Sequence, residues 1–131
     1  MAVWAKVALI FIGAGLGANA RYWLACWVQS RVGEEFPWGT ILVNVSGSLA
    51  MGAMAALLVK PETGDGWRLM VAVGLLGGYT TFSTFSAETL SLLRSGSVSH
   101  ALWNIALTNF GSLLACALAY LAMERLLAWL R

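Results

Sequence analysis

The stretch GLLGGYTTFSTFSAE, Gly74 to Glu88, decides how this chain is read. It lies inside a longer apolar run from about Trp67 to about Leu93, centred near Thr80. That run exceeds the roughly 20 residues a helix needs to cross a hydrocarbon core of about 30 Å. Yet Thr80, Thr81, Ser83, Thr84 and Ser86 put five hydroxyls into seven residues at its midpoint, just after Gly77 and Gly78. Packing alone does not ask for hydroxyls there. Two adjacent glycines followed by such a run predict a helix broken at mid-membrane, whose released carbonyls and amides need partners. In transporters such breaks face a substrate or an ion. Carbonyls at the break suit a cation, and exposed amides suit an anion. Phe82 and Phe85 are three apart and share a helical face that Glu88 continues. Aromatic ring edges are electropositive, so two edges can contribute to an anion site; the plainer reading is that both rings pack against neighbouring helices. Glu88 reads equally as an interfacial carboxylate near the helix end.

Three further apolar runs flank this one, giving expected helices over about 3–30, 38–59, 67–94 and 99–130. In lipid every backbone group must be satisfied within the segment, so spans of this kind are helical. The connections are short and polar: SRVGEEFP up to Pro37, KPETGDG from Lys60 to Gly66, and RSGSVS from Arg94 to Ser99. Gly96 is suited to end one helix, and Ser97 or Ser99 to cap the next. Trp4, Trp38, Trp67, Trp103 and Trp129 fall near the expected boundaries, with Trp23 and Trp27 at the far end of the first helix. Indole prefers the headgroup level, which supports the spans independently of hydropathy. The fold class is therefore all-α integral membrane, with residues 1–131 as one transmembrane domain of four helices, the third broken.

Composition agrees. The chain has 131 residues, 60% hydrophobic and 11% charged, against roughly 25% charged in an average soluble domain. A net charge of +2 is too small and scattered for nucleic-acid binding. Cys26 and Cys116 lie in apolar runs and read as free thiols; with a single histidine, His100, no metal cluster or hydrolytic triad can be assembled. An enzyme has no supporting constellation. An even number of spans puts both termini on one side, with Lys6, Lys60, Arg68, Arg125 and Arg131, against Arg31 and Arg94 on the other and Arg21 between. This is a modest bias toward cytoplasmic termini. Ala18 to Ala20 imitates a signal cleavage site, but the apolar run continues past it as a span would.

Other polar residues sit within the spans. Arg21 interrupts an apolar run, where an Arg costs roughly 2.5–3.5 kcal/mol to insert, so it faces a water-filled cavity or snorkels to an interface. Thr40, Asn44 and Ser48 share one face of the second helix, and Asn104, Thr108 and Ser112 share one face of the fourth. Each stripe reads as interhelical hydrogen bonding or as the lining of a polar path. Gly13 with Gly17, and Gly74 with Gly78, are small-xxx-small pairs that let membrane helices approach closely.

Three motifs together, GLGANARY (Gly15 to Tyr22), PWGTILVNVSG (Pro37 to Gly47) and GLLGGYTTFSTFSAE, resemble the Fluc family of small fluoride ion channels, also called CrcB. The resemblance covers essentially the whole chain. It implies passive fluoride export across the inner (plasma) membrane, by an antiparallel, dual-topology homodimer with two pores. It further implies that Phe82 and Phe85 supply pore-facing rings, that Asn44 lines the pore, and that Thr108 and Ser112 form a polar track on which Asn104 also falls. Glu88 corresponds to a carboxylate near one pore end and Arg21 to an arginine near the aqueous vestibule. The backbone carbonyls of Gly77 and Thr80 from both subunits would surround one structural Na⁺. Dual insertion prefers near-balanced charge, from which the bias above departs slightly. Two other classes fit four spans: a small multidrug-type proton-coupled exporter, which wants a carboxylate at mid-span, and a helical scaffold subunit, which the hydroxyl cluster does not suit.

Overall fold

The computed structural model describes residues 1–58 and 64–130. Five helices make four spans: α1 (Val3–Val32), α2 (Trp38–Leu58), α3 (residues 65–79), α4 (Phe82–Arg94) and α5 (Val98–Trp129). Together α3 and α4 form the third span, Asp65–Arg94, interrupted at Thr80 and Thr81. The four spans are 21 to 32 residues long, about 32 to 48 Å at 1.5 Å per residue. All four are apolar enough to cross a membrane. Beside the expected 3–30, 38–59, 67–94 and 99–130, the spans run Val3–Val32, Trp38–Leu58, Asp65–Arg94 and Val98–Trp129. The expected end of the second helix at Val59, the charge of Lys60, and Arg131 lie outside the described residues.

The middle of α3, Arg68–Leu76, is π-helical, which the hydropathy pattern does not reveal. Wider π turns are rare and concentrate at functional sites. This one leads directly into the break.

Glycines set the close approaches. Gly13 and Gly17 on α1 are buried against α3. A Cβ at Gly17 would lie 2.8 Å from the Tyr79 nitrogen, and one at Gly78 would lie 2.6 Å from the Ala14 oxygen. The two small-xxx-small pairs therefore face each other. Without a hydrophobic drive between helices in lipid, such backbone contact is what holds them. On the other side α2 packs along α5, where a Cβ at Gly52 would lie 2.8 Å from the Cys116 carbonyl carbon. Gly39 brings α2 equally close to Ala25 of α1. Large side chains point outward: Trp4, Phe11, Phe110 and Trp129 are exposed, and so are the remaining five tryptophans.

The connections use backbone chemistry more than side-chain caps. Gly96 has φ +79°. Its N–H donates to Leu93 O at 3.1 Å and the Ser97 N–H to Leu92 O at 2.9 Å, the paired closure that favours glycine after a helix end. Ser97 does precede α5, but its side chain makes no capping bond. Its carbonyl instead accepts the Ala101 N–H. Between α1 and α2, Gln29 binds the loop: its Nε2 donates to the carbonyls of Gly33 and Phe36, and its Oε1 accepts the Gly39 N–H. Cys26 and Cys116 are free thiols.

Candidate functional site

Everything at the site is organised by the break between α3 and α4. Thr80 and Thr81 have extended backbone, with ψ of 153° and 114°. The Thr81 N–H would close on the Gly77 carbonyl in a continuous helix. It donates instead to Asn44 Oδ1 at 2.8 Å, while Asn44 Nδ2 donates to the Thr81 carbonyl at 3.0 Å. The buried Asn44 side chain thus replaces both backbone partners of one residue. Thr81 then caps α4: its Oγ1 accepts the Thr84 N–H at 3.2 Å and donates to Thr84 Oγ1 at 2.9 Å. Gly47 makes room on α2, since a Cβ there would lie 2.9 Å from Tyr79 Cδ1. Ser46 Oγ and Tyr79 Oη hydrogen-bond beside it at 2.8 Å.

Two helix ends of opposite polarity therefore meet at mid-span. The carbonyl end of α3, which includes exposed Gly77 and half-buried Thr80, carries partial negative charge. The amide end of α4 begins at Phe82 and carries partial positive charge. Among the described residues no cluster of His, Cys, Asp or Glu could hold a metal. A cation here would rely on backbone oxygens, and the α3 end supplies them.

Phe82 and Phe85 do lie together, with ring centroids 5.3 Å apart and planes tilted by 50°. Their surroundings differ: Phe82 is 73% exposed and Phe85 only 5%. A buried chain of hydrogen bonds connects α5 to this pair. Thr108 Oγ1 donates to Asn104 Oδ1 at 3.3 Å, Asn104 Nδ2 to Thr89 Oγ1 at 2.9 Å, and Thr89 Oγ1 to the Phe85 carbonyl at 2.7 Å. One turn beyond Thr108, Ser112 Oγ is buried with no protein partner.

The remaining candidates line one side of this arrangement. Glu88 Oε1 accepts from Thr40 Oγ1 at 2.7 Å, and its other oxygen is buried without a partner. Both residues line an open cavity of about 410 Å³ with Gln29, Glu34 and Glu35. Arg21 lines a second cavity of about 250 Å³ with Thr40, Thr81 and Thr84. The two cavities share Ala25, Cys26 and Thr40. Arg21 is thus beside a cavity that reaches the break.

Three participants escape sequence reading. Thr89 lies beyond the hydroxyl cluster, and only its i+4 relation to Phe85 marks it. Gln29 sits in the last turn of α1, beside a polar connection, where nothing in the sequence distinguishes it from a solvated residue. Thr81 is one hydroxyl among five, and its capping role follows from where the break falls.

The family described as CrcB-like protein, Camphor Resistance (CrcB), matches residues 8–120. Similar curated proteins carry the name fluoride-specific ion channel FluC. The one from Methylocella silvestris is 45% identical over 114 residues, spanning 85% of this chain and 87% of its own. That from Thermus thermophilus is 46% identical, with 86% and 87% covered. That from Bordetella petrii is 47% identical, with 83% and 84% covered. With the family model matching residues 8–120 and relatives about 45% identical over most of its length, the chain belongs to the CrcB/FluC family.

Proposed function

We propose that this chain is a fluoride-selective channel that lets the ion leave the cytoplasm passively, working as a homodimer. The observation that carries the reading is the break held open by Asn44, which puts the amide end of α4 beside Phe82 and Phe85 at mid-span. The FluC relatives are named for the same activity.

Fluoride is small and strongly hydrated, so a conducting path must replace water with many donors, none binding too tightly. Candidate donors remain after the internal bonds are made. An amide nitrogen carries two protons; Asn44 uses one on Thr81 and Asn104 uses one on Thr89. Ser112 has a hydroxyl with no protein partner. Ring edges of Phe82 and Phe85 add electropositive surface without a formal charge. Glu88 and Arg21 stand at the cavities leading inward.

Assembly as a dimer is supported by what one copy leaves uncovered. Phe82, Ser83, Thr84 and Ser86 are exposed in the middle of a span, where lipid offers hydroxyls no partner. A second copy covers them. One Na⁺ held by the Gly77 and Thr80 carbonyls of both copies would offset the partial negative charge of two α3 ends. An antiparallel arrangement would bring those ends together.

The test is anion efflux from liposomes holding the purified protein. Rapid fluoride loss with negligible chloride loss is expected; equal loss of both, or none, overturns the assignment. Replacing Na⁺ with a bulky organic cation is expected to weaken the dimer and slow efflux. Unchanged assembly and flux would remove the sodium site from the proposal.

A further inference from the structure

At one end of the bundle, away from the break, the α1–α2 connection and the first turns of α5 enclose an open cavity of about 460 Å³. Its walls include Phe36, Trp38, His100 and Trp103, with the acidic Glu35 also lining it. The rings form a connected cluster: Phe36 meets Trp38 edge-on at 4.9 Å and His100 at 5.6 Å. Phe36 is buried and fixes the floor, while Trp38 and Trp103 are half exposed at 45% and 58%. A group of aromatic rings beside a carboxylate is the chemistry that holds an organic ammonium, through the electronegative ring faces and the opposite charge.

Position selects the source of that ammonium. The cavity lies where α2 and α5 begin, at the level that tryptophans mark as the membrane interface. Trp103 is shared with a neighbouring shallow cavity of about 550 Å³, lined along α5 by Leu102 and Ala106. This groove follows the first turns of α5 from Val98 to Ala106, and Leu107 carries the main cavity one turn past Trp103. A headgroup seated among the rings would therefore have apolar surface beneath it for an acyl chain, which a soluble amine does not need.

We propose that this cavity binds the ammonium headgroup of a membrane lipid, with Glu35 as its counter-charge and Trp38 and Trp103 as its aromatic walls. Its aromatic walls are not among the proposed pore residues, although Glu35 also borders the cavity beside Glu88.

The test titrates delipidated protein in detergent with short-chain phosphatidylethanolamine, phosphatidylcholine and phosphatidylglycerol, with bound lipid counted by native mass spectrometry. The two ammonium lipids are expected to be retained about tenfold better than the glycerol lipid, and Glu35→Gln and Trp103→Leu each to abolish most of that preference. Equal retention of all three lipids, or an unchanged preference in Glu35→Gln, overturns the proposal. Glu35 is exposed in a connection, so its variant carries the test even if Trp103→Leu does not fold. Tetramethylammonium is expected to compete only at concentrations far above those of the lipid. Competition at equal concentration overturns the lipid assignment.

Discussion

Replacing Asn44 by Leu removes the clamp on the break while keeping the side chain's branching and heavy-atom count. Two hydrogen bonds are lost, one of 2.8 Å from the Thr81 N–H and one of 3.0 Å to the Thr81 carbonyl. Two interhelical bonds at the average of about 0.6 kcal/mol measured in a membrane protein set a floor near 1 kcal/mol. Two buried backbone groups left bare, at about 1–3 kcal/mol each, set a ceiling near 6 kcal/mol. Asn44 is only 7% exposed, so water is a poor substitute and the expected loss is about 2–4 kcal/mol. The chain also has an escape: the Thr81 N–H can return to the Gly77 carbonyl by rewinding the helix. Rewinding would remove the amide end of α4 from mid-span and with it the proposed anion site. Denaturant unfolding of the detergent-solubilised protein, followed by tryptophan fluorescence, measures the first effect, and fluoride efflux from liposomes measures the second. Asn44→Leu should lower both. An unfolding midpoint and an efflux rate equal to those of the parent would refute the clamp.

Gly17→Ala should destabilise by about 1–3 kcal/mol, because its Cβ would fall 2.8 Å from the Tyr79 nitrogen. Gly15→Ala on the same helix meets nothing within 4 Å and should be neutral or stabilising by up to about 1 kcal/mol; thermal unfolding in detergent compares them. Asn104→Leu breaks the bonds to Thr89 and from Thr108, and should cost about 1–3 kcal/mol in the same assay. Phe85→Ala should cost about 3–5 kcal/mol, since that ring is buried within one copy. Phe82→Ile should leave the dimer assembled by light scattering yet slow fluoride efflux; unaltered efflux would take Phe82 out of the path.

The four spans and the break in the third were legible from hydropathy and from hydroxyls placed where an apolar helix has no use for them. The glycine pairs were equally legible, because small residues four apart on an apolar helix mark one face of close approach. Tryptophans at the expected ends point the same way, and in the structure all seven are exposed. The family, too, was recognisable from its motifs.

What the linear order left open is which polar group satisfies which. Asn44 reads equally as interhelical adhesive or as pore lining. Only the packing of α2 against the break shows its oxygen and nitrogen on one backbone residue, 37 positions away. The Phe82 and Phe85 pair shares a helical face by spacing alone, yet one ring is exposed and the other buried. Three-residue periodicity places both rings on one side without saying what α5 covers. The same holds for Asn104, Thr108 and Ser112, where the stripe is local but its continuation through Thr89 is tertiary. Local periodicity determines which groups face together. The pairing of buried donors with acceptors depends on how helices distant in sequence cross, and in a membrane that pairing is what keeps the broken span in place.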